Sequence, residues 1–194
     1  MIGTGPPSTP RIRFRRLTPD DIDLLVDLDS DPEVMRWLTG GKPSTRAYYE
    51  QAMPRILSWY QTGPSRGFFA AERPGPADPP GPSTFVGWFH LREAHHWPGE
   101  LELGYRLKRE AWGQGLATEG SIGLIRHALH DLGEPLVIAA TMLGNAASQR
   151  VMQKAGMVPD AEFLETRWAG PDQRAVKYIA RAGVWRPPDS LPEG

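Results

Sequence analysis

The chain has 194 residues, with 22 lysines and arginines against 23 acids, a formal net charge of −1 and a hydrophobic fraction of 40%. Balanced charge leaves no basic field to gather nucleic acid or anionic lipid, and the lack of cysteine excludes a disulfide framework, a thiol nucleophile and any thiolate metal site. No apolar run approaches the ~20 residues that span a bilayer, and residues 1–10 lack the basic start and apolar stretch of a signal peptide, so a soluble cytoplasmic protein without nucleic-acid or membrane partners is expected.

The length suits one domain. Of the 20 prolines, 11 gather in 1–10, 73–82 and 186–194. The two ends read as flexible tails, and the middle group as a loop, since proline removes helix and ladder donors. One domain over 11–182 is expected, with tails at 1–10 and 183–194.

In chain order, 11–16 (RIRFRR) alternates with Ile12 and Phe14 on one face and predicts a short strand. Most of its arginines are expected to face water on a sheet edge. Thr18, Pro19 and the acids at 20 and 21 start a helix, striped by Ile22, Leu25, Val26 and Leu28. Asp31-Pro32 restarts a short helix that Gly40-Gly41 stops. A longer helical stretch covers 44–60, with Pro54 as an expected kink. Strands are predicted over 67–72, 84–91 and 100–107, the first two as a hairpin around the proline loop. A helix follows over 118–132, ended by Gly133 and Pro135. Residues 136–141 (LVIAAT) make an apolar strand of the kind buried on both faces. A helix over 145–155 and strands over 161–168 and 174–182 complete the chain. The order implies a mixed sheet with helices on its faces and a parallel pair within 100–155 joined by a right-handed crossover.

Residues 105–120 (YRLKREAWGQGLATEG) take the chain from strand through a glycine loop into a helix. Gly113 and Gly115 allow backbone N–H groups to approach a ligand closely, and the helix start adds unpaired donors and a positive dipole end. A pyrophosphate is the natural guest, although the loop alone is equally a plain turn. It is neither the nucleotide-triphosphatase loop nor the dinucleotide fingerprint. Residues 145–157 (NAASQRVMQKAGM) follow the next strand, so both helix starts emerge at one sheet edge, where ligands bind in open α/β sheets.

In this order and separation, the 112–119 run WGQGLATE and the Asn-x-x-Ser-x-x-Val-x-x-Lys-x-Gly run at 145–156 resemble the GNAT N-acetyltransferase superfamily, in its RimJ/RimL-like branch of ribosomal-protein-alanine acetyltransferases. The resemblance covers about 11–182. It implies an α/β (α+β) GNAT fold: a mixed, mostly antiparallel sheet of about seven strands, helices on both faces, and a V-shaped splay between the strands at 100–107 and 136–141. It implies acetyl-coenzyme A as the acyl donor, with Tyr105, Arg106 and Leu107 offering backbone groups to the pantetheine. Gln114, Gly115, Leu116, Ala117 and Thr118 would hold the pyrophosphate, and Asn145 would bond the pantetheine region. Direct attack by a primary amine, on a protein N-terminus or a small molecule, is implied.

Two departures bear on the chemistry. Trp112 stands where the superfamily often has Gln or Arg, removing a side-chain donor from the phosphate loop. Met152 stands where many members carry the tyrosine that protonates the leaving thiolate. Ser148, on the first turn of the same helix, is the substitute the resemblance suggests. An alkylamine must lose a proton to attack, and Glu102, sharing a strand face with Glu100 and Gly104 by alternation, is the candidate base, with Glu100 and His96 behind it. Metal binding at His95-His96 is not expected, for want of a third ligand. Trp37 is a candidate wall of the acceptor site. Two other functions stay open: a non-catalytic acyl-coenzyme A sensor, motivated by the missing tyrosine, and an aminoglycoside or polyamine acetyltransferase, which would want a strongly acidic acceptor cleft. Apolar strand content near the C-terminus permits a homodimer.

Overall fold

The computed structural model describes residues 5–63, 65–76, 81–167 and 173–187. Seven strands, β1 (Arg13–Arg16), β2 (Gly67–Arg73), β3 (Thr84–Glu93), β4 (Leu101–Leu107), β5 (Leu136–Met142), β6 (Val158–Leu164) and β7 (Arg174–Arg181), alternate with five helices. These are α1 (Ile22–Ser30), α2 (Pro32–Thr39), α3 (Arg46–Ser58), α4 (Leu116–Arg126) and α5 (Ala146–Lys154). The strands lie side by side in the order β1-β2-β3-β4-β5-β7-β6. Every neighbouring pair is antiparallel except β4 and β5, which run parallel with α4 as their crossover.

Period-two alternation sends neighbouring residues of each strand to opposite faces, and each face has its own core. Phe69, Phe89, Leu103 and Leu107 pack with Leu116, Ile122 and Ile125 of α4 and Met152 of α5. Ala70 and Phe85, with Phe68 and Trp88 beside them, pack with Leu25 and Leu28 of α1 and Tyr49, Met53 and Ile56 of α3. The sheet therefore separates an α4–α5 layer from an α1–α3 layer.

The helix boundaries follow local chemistry. Asp31 accepts a hydrogen bond from the Glu33 N–H at 2.9 Å, and Pro32 fills the first position of α2. Gly40, at φ 70°, ends it in the left-handed conformation that costs glycine nothing. Helix α3 runs through Pro54. Helix α4 passes into one wide π turn over His127–Asp131, where the His127 ring nitrogen Nδ1 lies 2.7 Å from Asp131 Oδ2. A single helix was expected there; the extra residue is absorbed as a π bulge.

Four expectations need correcting. Residues at both supposed tails pack against the body: the Thr9 hydroxyl donates to Glu119 at 2.6 Å, and Trp185 is buried, its indole N–H donating to the Ala155 carbonyl at 2.9 Å. The β1 arginines do not simply face water. Arg15 bonds Asp21 at 2.7 Å and Glu72 at 2.7 Å, and neighbouring Arg11 bonds Glu119 at 2.6 Å. Glu100 lies just ahead of β4, which starts at Leu101, and pairs with Lys177 of β7 at 2.7 Å, so it is engaged away from the cleft, which it does not line. Trp168 of the expected sixth strand lies outside the described residues, and that strand starts earlier, at Val158.

Candidate active site

The parallel pairing of β4 with β5 is brief. Only Leu101↔Val137 and Glu102↔Ile138 are in register, so from Leu103 onward β4 has no strand partner on that side. The gap opens into a cleft of about 870 Å³ that also reaches α2, α3, α4 and α5. Such a break in a sheet leaves a run of backbone donors and acceptors for a ligand. Tyr105, Arg106 and Leu107 all line it.

The mouth on the α4–α5 face is built for an anion. Gly113 and Gly115 have φ of 74° and 75°, a region in which a Cβ is strained, and a Cβ built on Gly113 would meet nothing. Helix α4 starts without a side-chain cap, so the first-turn N–H groups of Leu116, Ala117 and Thr118 stay free for a guest. All three residues and Gly115 line the cleft. Glu119, on that turn, is turned away and held by Thr9 and Arg11. Gln114 is exposed and engaged elsewhere, its amide bonding Arg73 and the Glu110 carbonyl; it does not line the cleft, unlike the other four loop positions. Trp112 also lines the cleft, and its indole N–H donates to the Leu107 carbonyl at 2.9 Å.

Helix α5 contributes from the opposite wall. The Asn145 side chain accepts from the Ser148 N–H at 3.2 Å, so its oxygen caps the helix and its amide NH₂ remains for a ligand. The Ser148 hydroxyl lies 3.1 Å from the Tyr105 hydroxyl. Burial pushes the Tyr105 phenol up to about 12, the bond from Ser148 working against it. Met152 is buried in the core. The Tyr105 side-chain contact went unforeseen; its signal was alternation, which puts residues 103, 105 and 107 on the face of α4 and α5.

On the α1–α3 face stand Glu102, Gly104 and Arg106, opposite Arg92, His90 and Trp88 of β3. Glu102 is 8% exposed. Burial raises its carboxyl above the ordinary carboxylate range, while Arg92 and Arg167 draw it back. Arg92 Nη2 lies 2.8 Å from Glu102 Oε2, but off the line of a hydrogen bond, and this oxygen accepts none among the described residues. A raised, ion-paired carboxylate with a free lone pair can take a proton. Gly104 is required here, because a Cβ would lie 2.5 Å from the His90 ring. Arg106 bonds Asp29 and stacks over Trp88 at 5.0 Å, which pins β4 to α1. Trp37 lines the cleft as expected, its ring against Gly144, where a Cβ would come within 2.8 Å. His96 does not line it; its Nε2 lies 3.0 Å from Glu165. No group of three or more metal-ligating side chains occurs among the described residues, and none of their helices is long and apolar enough to cross a membrane.

A sheet breached between parallel strands, with an uncapped helix start on one face and a buried carboxylate on the other, defines an acyltransferase of the coenzyme A-using kind. Known proteins agree. Residues 11–158 match the family model described as the acetyltransferase (GNAT) domain. The chain is 28% identical over 187 residues to the FsC-acetyl coenzyme A-N(2)-transacetylase of Aspergillus fumigatus, covering 91% of this chain and 76% of that one. It is similar in structure to Mycobacterium smegmatis RimJ in complex with a CoA-disulfide, with a TM-score of 0.72 at 15% identity over 98% of this chain and 89% of that one. The ribosomal-protein-alanine acetyltransferase of Vibrio fischeri gives 0.71 at 15% identity, covering 94% and 99%. The chain belongs to the GNAT acetyltransferase family, and acetyl-coenzyme A is its acyl donor.

Proposed function

We propose that the protein acetylates a primary amine by direct attack across the gap between β4 and β5, with donor and acceptor entering from opposite faces of the sheet. The observation that carries this reading is the placement of Glu102 on one side of the gap and the Tyr105–Ser148 pair on the other. The pyrophosphate rests on the N–H groups of Gly115, Leu116, Ala117 and Thr118, and the pantetheine runs along the free edge of β4 at Tyr105, Arg106 and Leu107, beside the Asn145 amide. Gln114, turned outward, is given no part in this.

Glu102 takes the proton that the amine nitrogen gives up as it bonds to the thioester carbonyl carbon. The carbon–sulfur bond breaks, and the thiolate receives a proton from the Ser148 hydroxyl, which is replenished through Tyr105. The phenol, nearer the sulfur's range than an aliphatic hydroxyl, serves in the role that Met152 cannot fill. Alignment of amine and thioester in a closed cleft supplies much of the rest.

A protein N-terminus, as in the RimJ/RimL-like branch, and a small amine are both compatible acceptors. The small amine is favoured by the relative whose name places its acetyl group on an N(2) nitrogen; the ribosomal-protein enzymes are similar in fold alone. The Tyr105–Ser148 pair speaks against a non-catalytic sensor. A polyamine is disfavoured, since Glu33 and Glu102 are the only acids lining the cleft among the described residues, against seven lysines and arginines.

The test begins with acetyl-coenzyme A and the melting temperature. At ~100 times its dissociation constant the ligand adds about 2.7 kcal/mol to the native state, a shift of several degrees for a chain of this size. Gly115→Glu, which sets a side chain and a negative charge at the helix start, should abolish the shift. An unshifted wild-type melt at millimolar ligand refutes the cofactor site. Release of free thiol across amines and N-terminal peptides then identifies the acceptor.

A further inference from the structure

The acceptor side of the cleft is more basic than an amine alone would need. Arg55 of α3, Arg92 of β3 and Arg167, just after β6, all line it. The Arg92 guanidinium is weakened by burial and further by Arg167 and Arg55, against the pull of Glu102. Two carboxylates answer them. Glu102 lies 2.8 Å from Arg92, and Glu165 accepts from Arg167 Nε at 2.9 Å. Arg55 has no carboxylate within ion-pair distance among the described residues. Three guanidiniums against two carboxylates leave one positive charge uncompensated.

Beside them sits an orphan. His90 is 7% exposed and lines the cleft, yet neither ring nitrogen has a hydrogen-bond partner. Glu102 Oε2 is 3.9 Å away, too far to bond. The ring is held by stacking on Trp88 at 5.8 Å and by the edge of Phe68 at 5.1 Å. Burial, then Arg92 and Arg106, keep it well below its usual pKa, so at neutral pH it offers one N–H and one lone pair. Buried polar groups are nearly always satisfied in the state that matters, and this one sits in the wall of the cleft, its ring against Gly104.

We propose that the acceptor amine carries a carboxylate, received by Arg55, Arg92 and Arg167 with the His90 N–H as a neutral fourth donor. The proposal rests on the acetyltransferase reading and names its substrate class. A planar guanidinium matches a carboxylate with two parallel bonds, and the single charge of a carboxylate balances the cluster where a dianionic phosphate would overshoot. The same cations serve the reaction, since positive neighbours favour the neutral form of an amine and so raise the share of nucleophile present.

The experiment follows thiol release from acetyl-coenzyme A with matched pairs of amines: short amino acids against their amides, and peptides alike except for Asp against Asn, or Glu against Gln, next to the N-terminal residue. The expected result is a kcat/KM at least tenfold higher for the carboxylate member of a pair, expressed mainly in KM. Arg55→Ala and Arg167→Ala should each erase most of that preference, and Arg55→Lys should restore part of it. Equal or better use of the neutral members overturns the proposal. So does protein that shows the acetyl-coenzyme A melting shift yet turns over no carboxylate-bearing amine. If the melting shift itself is absent, the acetyltransferase site has failed first, and the two failures are thereby told apart.

Discussion

Glu102→Gln keeps the shape of the side chain and removes its ability to accept a proton. Turnover should fall by roughly 10²–10⁴, with the acetyl-coenzyme A melting shift unchanged. The pH profile carries a sign. Burial raises the Glu102 carboxyl, so the wild-type rate should climb with pH through a point above the ordinary carboxylate range, and the variant should lose that limb. Wild-type turnover by the variant across pH removes Glu102 from the mechanism. On the other wall, Tyr105→Phe and Ser148→Ala should each slow turnover, by less than Glu102→Gln, and their effects should not add, because the two hydroxyls form one pair at 3.1 Å. The loss should shrink with an acyl donor whose thiol is more acidic. Additive losses that ignore the leaving group would mean that the pair does not handle the sulfur.

Two contacts of α4 leave no slack. A Cβ on Gly120 would enter the Phe89 ring, so α4 can lie this close to β3 only with glycine there. Gly120→Ala should cost about 1–3 kcal/mol, seen as a lower denaturation midpoint; an unchanged midpoint would show that α4 can draw back freely. Glu119, one residue earlier, ties the segment before β1 to the start of α4 through Thr9, the Arg11 N–H and the Arg11 guanidinium. Burial pushes its carboxyl up, but these bonds more than reverse that and hold it below the usual range. Its contribution is therefore full above the unfolded carboxylate pKa and is lost as pH falls through the lower folded value. Glu119→Gln should cost about 1.5–3 kcal/mol at neutral pH, and the gap to wild type should narrow in acid. A gap that persists at low pH would place the effect in packing rather than charge.

Across the molecule, what could be read in the sequence was what depends on short stretches of chain. Alternation located the strands, Asp31-Pro32 and Gly40 bounded α2, and the glycine loop marked the uncapped start of α4. What escaped depends on residues far apart in sequence. Arg106 finds Asp29, His96 finds Glu165, and Glu100 is drawn off to Lys177; no local pattern encodes such partners. Alternation puts Tyr105 on the α4–α5 face, but its meeting with Ser148 also needs the splay of β4 from β5 to be known. Thr9 and Trp185 were misjudged because composition near chain ends favours disorder, whereas one hydroxyl and one indole suffice to anchor them.

The break in the sheet separates two kinds of evolutionary constraint. With the donor on the α4–α5 face, as proposed, its glycines and helix start answer to one unchanging nucleotide-bearing partner. On the same reading the other face borders the acceptor, so change at Arg55 or Arg92 bears on what is modified, while the Arg106–Asp29 tie must stay to hold β4 in place. Two solved acetyltransferases at 15% identity to this chain still superpose with TM-scores above 0.7, so the fold outlasts most of the side chains that build it.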